Sequence, residues 1–168
     1  MLPTLEIAVR PEWIDYNGHT NMAYYVVMFD KATDVLFDAV GCGQSYRRET
    51  GFTMYAMESH VTYARETKLG DRLRIEARLI DADTKRLHFF CRMTMAENGE
   101  QVATFEMLAL HVDLSGPRAA PFPAAIQARL DAMLAAHRAL PLPPEVGRKV
   151  GIKRQLGAAP PRLSPVWF

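Results

Sequence analysis

The sequence lacks the features that mark secreted or membrane-bound proteins. Its 168 residues include two cysteines, Cys42 and Cys91, which are too few and too far apart for a disulfide scaffold or a CxxC motif. No apolar run reaches the roughly 18 residues that a membrane span needs, and no signal peptide opens the chain. We therefore predict a cytoplasmic protein with no membrane partner.

Charge imbalance and metal-binding or nucleotide-binding motifs are missing as well. The formal net charge is +1, which gives no general attraction to nucleic acid. The five histidines have no ligand spacing, and neither a glycine-rich phosphate loop nor a G-x-S-x-G motif occurs. We expect no metal, no cofactor and no nucleic-acid partner.

The pattern of apolar residues predicts an α+β protein. With 49% hydrophobic residues, the chain can bury one substantial core. Residues 5–10 alternate as a strand does, and Met22–Val40 follow helical spacing, with Asn21 as N-cap and glycine at the end. Four strands follow in turn-linked succession, and then a shorter helix: residues 54–65, 72–79, 87–95, Gln101–Asp113 and helix 121–139.

A long apolar helix beside an antiparallel sheet favours one architecture. We expect the helix to be buried on most sides by a sheet of about five strands that wraps around it. The outer face and edge of that sheet then stay exposed. A homodimer, or a tetramer made of two dimers, would cover them.

The loop before the long helix carries the chemistry. The first amides of a helix have no intrahelical partner, so the Met22 amide can stabilise an oxyanion. Asp15, beyond the Gly18 turn, can act as nucleophile or general base, and this pairing suits acyl transfer from a thioester. Taken singly, Asp15 is more often a turn residue and His19 more often a loop histidine than a catalyst, and a capping role alone accounts for Asn21.

The assembly of these residues resembles a known family. The pattern Asp15-x-x-Gly18-His19-x-Asn21-x-x-x-Tyr25, followed by a long helix and four strands, is similar to the hotdog-fold thioesterases of the 4-hydroxybenzoyl-CoA thioesterase group. The resemblance implies a hotdog domain that hydrolyses acyl-CoA, with Asp15 catalytic and Met22 supplying the oxyanion hole. Many members carry a second carboxylate where this chain has Trp13. The candidate catalytic residues are thus Asp15, His19, Asn21 and Met22.

Two segments, residues 12–19 and 58–63, are also similar to the betainyl-CoA thioesterases of bacterial carnitine breakdown. This resemblance implies a trimethylammonium acyl group, which aromatic faces and a carboxylate recognise. Glu58 and His60 are two residues apart on a strand and so share a face. They are either part of an active site that a second subunit completes or a structural pair at the interface. The alternative is that these aromatic residues belong to the hydrophobic core, as aromatic residues in and around strands usually do. The candidate substrate-binding residues are Trp13, Tyr16, Tyr25, Tyr55, Glu58, His60 and Tyr63.

Two alternatives stay open, together with the purpose of the C-terminal tail. A hotdog enoyl-CoA hydratase places its Asp and His beyond the helix, whereas Asp15 and His19 precede it; a non-catalytic acyl-CoA-binding protein keeps the fold without turnover. We divide the chain into a domain at 1–140 and a tail at 141–168, which holds six of the eleven prolines and five cations against Glu145. The tail is either a solvated extended arm or a contact for CoA phosphates or a neighbouring subunit.

Overall fold

The computed structural model describes residues 1–152. The elements in chain order are β1 Thr4–Ala8, a 3₁₀ turn Pro11–Trp13, α1 Met22–Val40, α2 Gln44–Thr50, β2 Phe52–Tyr63, β3 Arg72–Ala82, β4 Arg86–Met95, β5 Gln101–Asp113, β6 Arg118–Ala119 and α3 Ala124–Arg138. An antiparallel sheet of six strands lies against the long helix α1, in the order β1-β3-β4-β5-β2, with β6 pairing with β5. This is the hotdog architecture that the sequence predicts.

Helix α1 begins and ends where its capping residues predict. The Asn21 side chain accepts a hydrogen bond from the Ala23 amide at 3.0 Å, and Gly41 adopts the left-handed conformation that ends the helix. The prediction that the helix is buried on most sides was wrong. The helix buries one stripe and exposes the opposite side, because this single chain covers only one face: the buried residues are Tyr25, Met28, Phe29, Ala32, Thr33, Leu36 and Val40.

The core lies between that stripe and the inner face of the sheet. Phe29 stacks on Phe105 of β5, with ring centroids 5.2 Å apart. In β3, the alternation of Leu73, Ile75 and Ala77 with charged neighbours aims each apolar side chain inward, where all three are fully buried. The strand pairings thus hold α1 across the sheet.

Strand β2 forms one edge of the sheet. It pairs with β5 on one side, and among the described residues no strand pairs with its other side. A bulge at Met57 interrupts the pairing, and residues 55–59 are all exposed. A twelve-residue strand with an open edge is a surface that proteins usually cover.

Several smaller features differ from the sequence-based expectation. Helix α2 has no buried residue and hence no apolar periodicity that could have predicted it; Gly51, at φ +74°, ends it. Strand β2 starts two residues earlier than expected. Helix α3 is shorter at both ends, and β6 adds a two-residue strand.

The described part of the C-terminal tail follows the outer surface of the sheet. The Arg78 guanidinium, almost fully buried, donates to the carbonyl of His137 in the last turn of α3 and to those of Leu140 and Pro141 just after it. Further on, the Gly147 amide donates to the Glu106 carboxylate at 2.9 Å. The boundary at residue 140 stays a prediction, and Lys153, Arg154 and Arg162 lie outside the described residues. No helix within residues 1–152 is long and apolar enough to cross a membrane.

Candidate active site at the start of helix α1

Residues 13–21 form a small hairpin that leads directly into α1. Gly18, at φ +78°, makes the reversal that a side chain would strain. The rungs pair Trp13 with Asn21, Ile14 with Thr20 and Asp15 with His19. Asp15 therefore lies two rungs from the N-cap, roughly 7 Å along the hairpin at the usual rise of an extended chain.

Asp15 is half-buried at this hairpin. Its Oδ1 accepts a hydrogen bond from the Asn17 amide at 2.8 Å, which is the turn contact expected of an ordinary loop aspartate. Its Oδ2 has no protein donor within residues 1–152. One carboxylate oxygen thus fixes the turn, and the other remains available.

The first turn of α1 leaves one amide free. Asn21 Oδ1 accepts from the Ala23 amide, and the Asn21 carbonyl accepts from the Tyr24 amide at 3.0 Å. The Met22 amide donates to no acceptor in the described part of the chain. Because the helix dipole adds partial positive charge there, this amide can bind a developing oxyanion.

A cavity of about 280 Å³ opens beside that amide. Tyr63 donates its hydroxyl to the Met22 carbonyl at 3.4 Å, and its ring meets Tyr25 edge to face with centroids 5.4 Å apart. Burial raises the pKa of Tyr63, with Tyr25 adding to the effect, so the phenol stays neutral. The cavity is lined by Thr20, Met22, Tyr25, Tyr63, Ala64, Arg65 and Glu66.

The charge in this cavity comes from residues that the sequence did not single out. Glu66 lies 3.1 Å from His19 Nε2 through its carboxylate, and Arg65 pairs with Glu100. Glu66 is thus the carboxylate that lines the cavity, whereas the sequence pointed to Glu58. The only signal was an acidic residue three positions after a strand, which is too common to single out.

Two predicted aromatic residues of the hairpin lie apart from the cavity. Trp13 is 4% exposed and stacks on Tyr24, with the Arg10 guanidinium 5.3 Å above its ring. Tyr16 is 97% exposed at the hairpin tip. Trp13 therefore packs under the hairpin as a buried support, and Tyr16 faces solvent in the single chain.

The predicted residues of β2 lie farther along the strand. Glu58 and His60 share a face, as predicted, and line a separate cavity of about 480 Å³ on the outer surface of the sheet. There His88 Nε2 contacts Glu106 at 2.7 Å. Glu58 is five residues from Tyr63, roughly 16 Å along the strand. Within one chain, neither it nor the exposed Tyr55 reaches the start of α1.

Other reactive groups have no place at the helix start. Asp30, the first carboxylate of α1, is eight residues beyond Met22, about 12 Å along the helix axis. Burial raises the pKa of Cys42 to about 12 and also raises that of Cys91, so neither is a thiolate near neutrality. Within residues 1–152 no group of three or more His, Cys, Asp or Glu could hold a metal.

Comparison with known proteins identifies the family. The model of the thioesterase-like superfamily matches residues 9–130. The chain belongs to the thioesterase-like superfamily. It is 40% identical to the betainyl-CoA thioesterase of Pseudomonas aeruginosa over 90% of this chain and 96% of that protein. It is 36% identical to the L-carnitine dehydrogenase/betainyl-CoA thioesterase of Rhizobium meliloti over 91% of this chain, which corresponds to 31% of that longer protein.

Two solved structures share the fold. A Staphylococcus aureus protein in complex with CoA superimposes with a TM-score of 0.85 at 27% identity, covering 91% of this chain and 96% of that one. A proposed thioesterase from Pseudomonas putida KT2440 gives a TM-score of 0.78 at 30% identity, covering 92% and 97%. These similarities confirm the predicted hotdog fold and acyl-CoA thioesterase function.

Proposed function

We propose that this thioesterase hydrolyses betainyl-CoA to free betaine and CoA at the cavity beside Met22. One observation carries the proposal: Met22, whose amide has no acceptor within residues 1–152, lines the same cavity as Tyr25, Tyr63 and Glu66. The identity to betainyl-CoA thioesterases supports the same substrate.

The acyl group is recognised by charge and by aromatic surface. A trimethylammonium has no N–H to donate, so hydrogen-bond acceptors cannot bind it directionally. Tyrosine faces and a nearby carboxylate attract it through their electrostatic field instead. Tyr63 and Glu66 supply these two elements here, with Tyr25 behind Tyr63.

Hydrolysis then needs an oxyanion site and an activated oxygen. With the thioester carbonyl at the Met22 amide, Asp15 either attacks the carbonyl carbon directly or removes a proton from a water that attacks. In both routes the C–S bond breaks and CoA leaves as a thiolate. A thiolate is a good leaving group, so no strong general acid is required. Direct attack passes through a mixed anhydride, which water cleaves.

A second copy of the chain completes the assembly in this proposal. The open edge of β2 carries Tyr55 and Met57, 45% and 58% exposed, and α1 exposes Val26 and Val27. Antiparallel pairing of two β2 edges covers this apolar surface and hydrogen-bonds both edges. It also brings the beginning of one β2 beside the end of the other, with Glu58 remaining on the outer face of the joined sheet. A tetramer of two such dimers is the larger alternative.

The proposed location is the cytoplasm. Both cysteines are free and buried in the described structure, which suits a reducing compartment.

A substrate comparison tests the proposal. Thiol release is measured for betainyl-CoA, for its neutral isostere 3,3-dimethylbutyryl-CoA and for a panel of short acyl-CoAs. We expect kcat/KM for betainyl-CoA to exceed that of the isostere by at least about tenfold, the size of one well-placed cation–π contact and a carboxylate. Equal rates would discard the cationic substrate, and cleavage of no acyl-CoA would contradict catalysis.

A further inference from the structure

The segment between β2 and β3 contains one residue that its neighbours do not explain. From Tyr63 to Gly70 every residue is exposed except Thr67, whose exposure is 0%. Thr67 is not part of the apolar core cluster. A polar residue buried alone in an exposed segment has to be hydrogen-bonded to be stable, and its partners show what it holds.

Those partners are the two residues that flank the start of α1. The Thr67 carbonyl accepts from the Thr20 amide at 2.8 Å and from Thr20 Oγ1 at 3.2 Å. The Thr67 amide donates to the Tyr25 hydroxyl at 3.1 Å. Thr20 comes two residues before Met22, and Tyr25 three residues after it, so Thr67 contacts both sides of the free amide.

The hydroxyl groups form a chain with one consistent direction. Tyr25 Oη lies 3.1 Å from Thr67 Oγ1, and Thr67 Oγ1 donates to Thr20 Oγ1 at 2.7 Å. Thr20 Oγ1 in turn donates to the Thr67 carbonyl. Tyr25 Oη has two acceptors within reach, Thr67 Oγ1 and the Arg65 carbonyl at 3.4 Å, so each hydroxyl has an acceptor and none is left unsatisfied. Such fully satisfied buried networks fix geometry strongly.

We propose that Thr67 is a positioning residue of this enzyme. Its hydroxyl locks the hairpin of residues 13–21 and the first turn of α1 in one relative position. Thr20 is also the rung partner of Ile14, the neighbour of Asp15, so the same lock sets where Asp15 stands relative to the Met22 amide. This inference rests on the proposed function, since it assigns Asp15 and Met22 to the reaction. The inference goes beyond the proposed function because Thr67 acts through Asp15 and Met22 and does not touch the substrate.

The test compares Thr67→Val, which removes the hydroxyl at nearly constant volume, with Thr67→Ser, which keeps it. We expect Thr67→Val to lower kcat by about 10- to 100-fold, the cost of a displacement of about 1 Å at the reacting centre, with KM changed less than about threefold. Thr67→Ser should restore kcat to within about threefold of the parent. The assay uses whichever acyl-CoA the parent cleaves fastest, so a failure of betainyl-CoA as substrate does not affect it.

Thr104→Val is the matched control. Thr104 is 2% exposed and shares a hydroxyl–hydroxyl hydrogen bond with Thr62, far from the hairpin in sequence and on the outer side of the sheet. Its loss should lower thermal stability in the same way and leave kcat unchanged. If Thr67→Val and Thr104→Val have the same kcat, Thr67 serves only stability and the inference is wrong.

Hydrogen exchange supplies a readout that does not depend on turnover. Amides of residues 14–25 should exchange faster in Thr67→Val than in the parent, and at parental rates in Thr67→Ser and Thr104→Val. Unchanged exchange at these amides in Thr67→Val would overturn the positioning role even if activity falls. Loss of activity in Asp15→Asn together with parental kcat in Thr67→Val would uphold the proposed function and reject this inference alone.

Discussion

His137 Nδ1 accepts a hydrogen bond from the Leu79 amide at 3.0 Å, which joins the end of α3 to β3. His137 is 3% exposed, and burial lowers its pKa from the ordinary value of 6.5, with the N-terminal ammonium and the Arg78 guanidinium adding to the shift. The neutral ring is therefore the form that the fold requires, because a protonated Nδ1 cannot accept the Leu79 hydrogen.

This relationship predicts a loss of stability in mild acid. Above pH 6.5 the ring is neutral in both states and the contribution is constant. Below it the unfolded chain takes up a proton first, so the free energy of unfolding falls by up to about 1.4 kcal/mol per pH unit until the folded ring is protonated too. Denaturant unfolding of the parent and of His137→Asn, which keeps an acceptor but does not titrate, should diverge in slope below pH 6.5. Parallel pH profiles would show that His137 does not titrate on unfolding.

Asp15→Asn should abolish most thioester hydrolysis without unfolding the protein. The amide oxygen still accepts from Asn17, so the turn survives, but it can neither attack nor take a proton. We expect kcat to fall about 10²- to 10⁴-fold. Asp113→Asn is the control, because Asp113 Oδ1 makes the same kind of turn contact with the Ser115 amide at 2.9 Å and lies outside the site. Near-parental turnover in Asp15→Asn would remove this carboxylate from the mechanism.

The sequence predicted the features of the fold that depend on local pattern. The ends of α1 follow from Asn21 and Gly41, whose own chemistry terminates a helix. The inward face of β3 follows from strict alternation. The bulge at Met57 could not be predicted, because it breaks the two-residue period and sends Ala56 and Glu58 to opposite faces although they are two apart.

The sequence indicates only those residues of the candidate site that are close together along the chain. Asp15, Asn21 and Met22 belong to one hairpin and its helix, so a short motif contains them. Thr67 is 47 residues from Thr20, and nothing in its exposed surroundings indicates that contact. Glu66 is likewise distant in sequence from His19, the residue that it contacts. Contacts made across the chain depend on how the sheet wraps around the helix, which no local pattern records.

The open β2 edge predicts that one exposed methionine controls assembly. Met57→Lys places a charge on the edge that a second copy would cover, so the variant should be a monomer by size-exclusion chromatography with light scattering, while the parent is a dimer or tetramer. Leu69→Lys is the control, since Leu69 is 59% exposed against 58% for Met57 but lies outside the strand. A monomeric parent, or equal assembly of both variants, would contradict pairing through β2.

Glu66 should decide the preference for a cationic acyl group. It is the carboxylate that lines the cavity beside Met22, 3.1 Å from His19 and beside Tyr63. In Glu66→Gln the shape is kept and the negative charge is lost. We therefore expect kcat/KM for betainyl-CoA to fall about tenfold, while that for 3,3-dimethylbutyryl-CoA changes less than about threefold.

Salt and a control variant separate this field effect from a general loss of activity. The side chain of Glu66 is 73% exposed, so its attraction for the substrate is screened, and the difference between parent and Glu66→Gln should shrink as ionic strength rises from about 0.05 to 0.5 M. Glu12→Gln removes a comparably exposed carboxylate outside the cavity and should leave both substrates unaffected. If Glu66→Gln lowers the rates of the cationic and the neutral substrate equally, the carboxylate supports the hairpin through His19 and does not recognise the acyl charge.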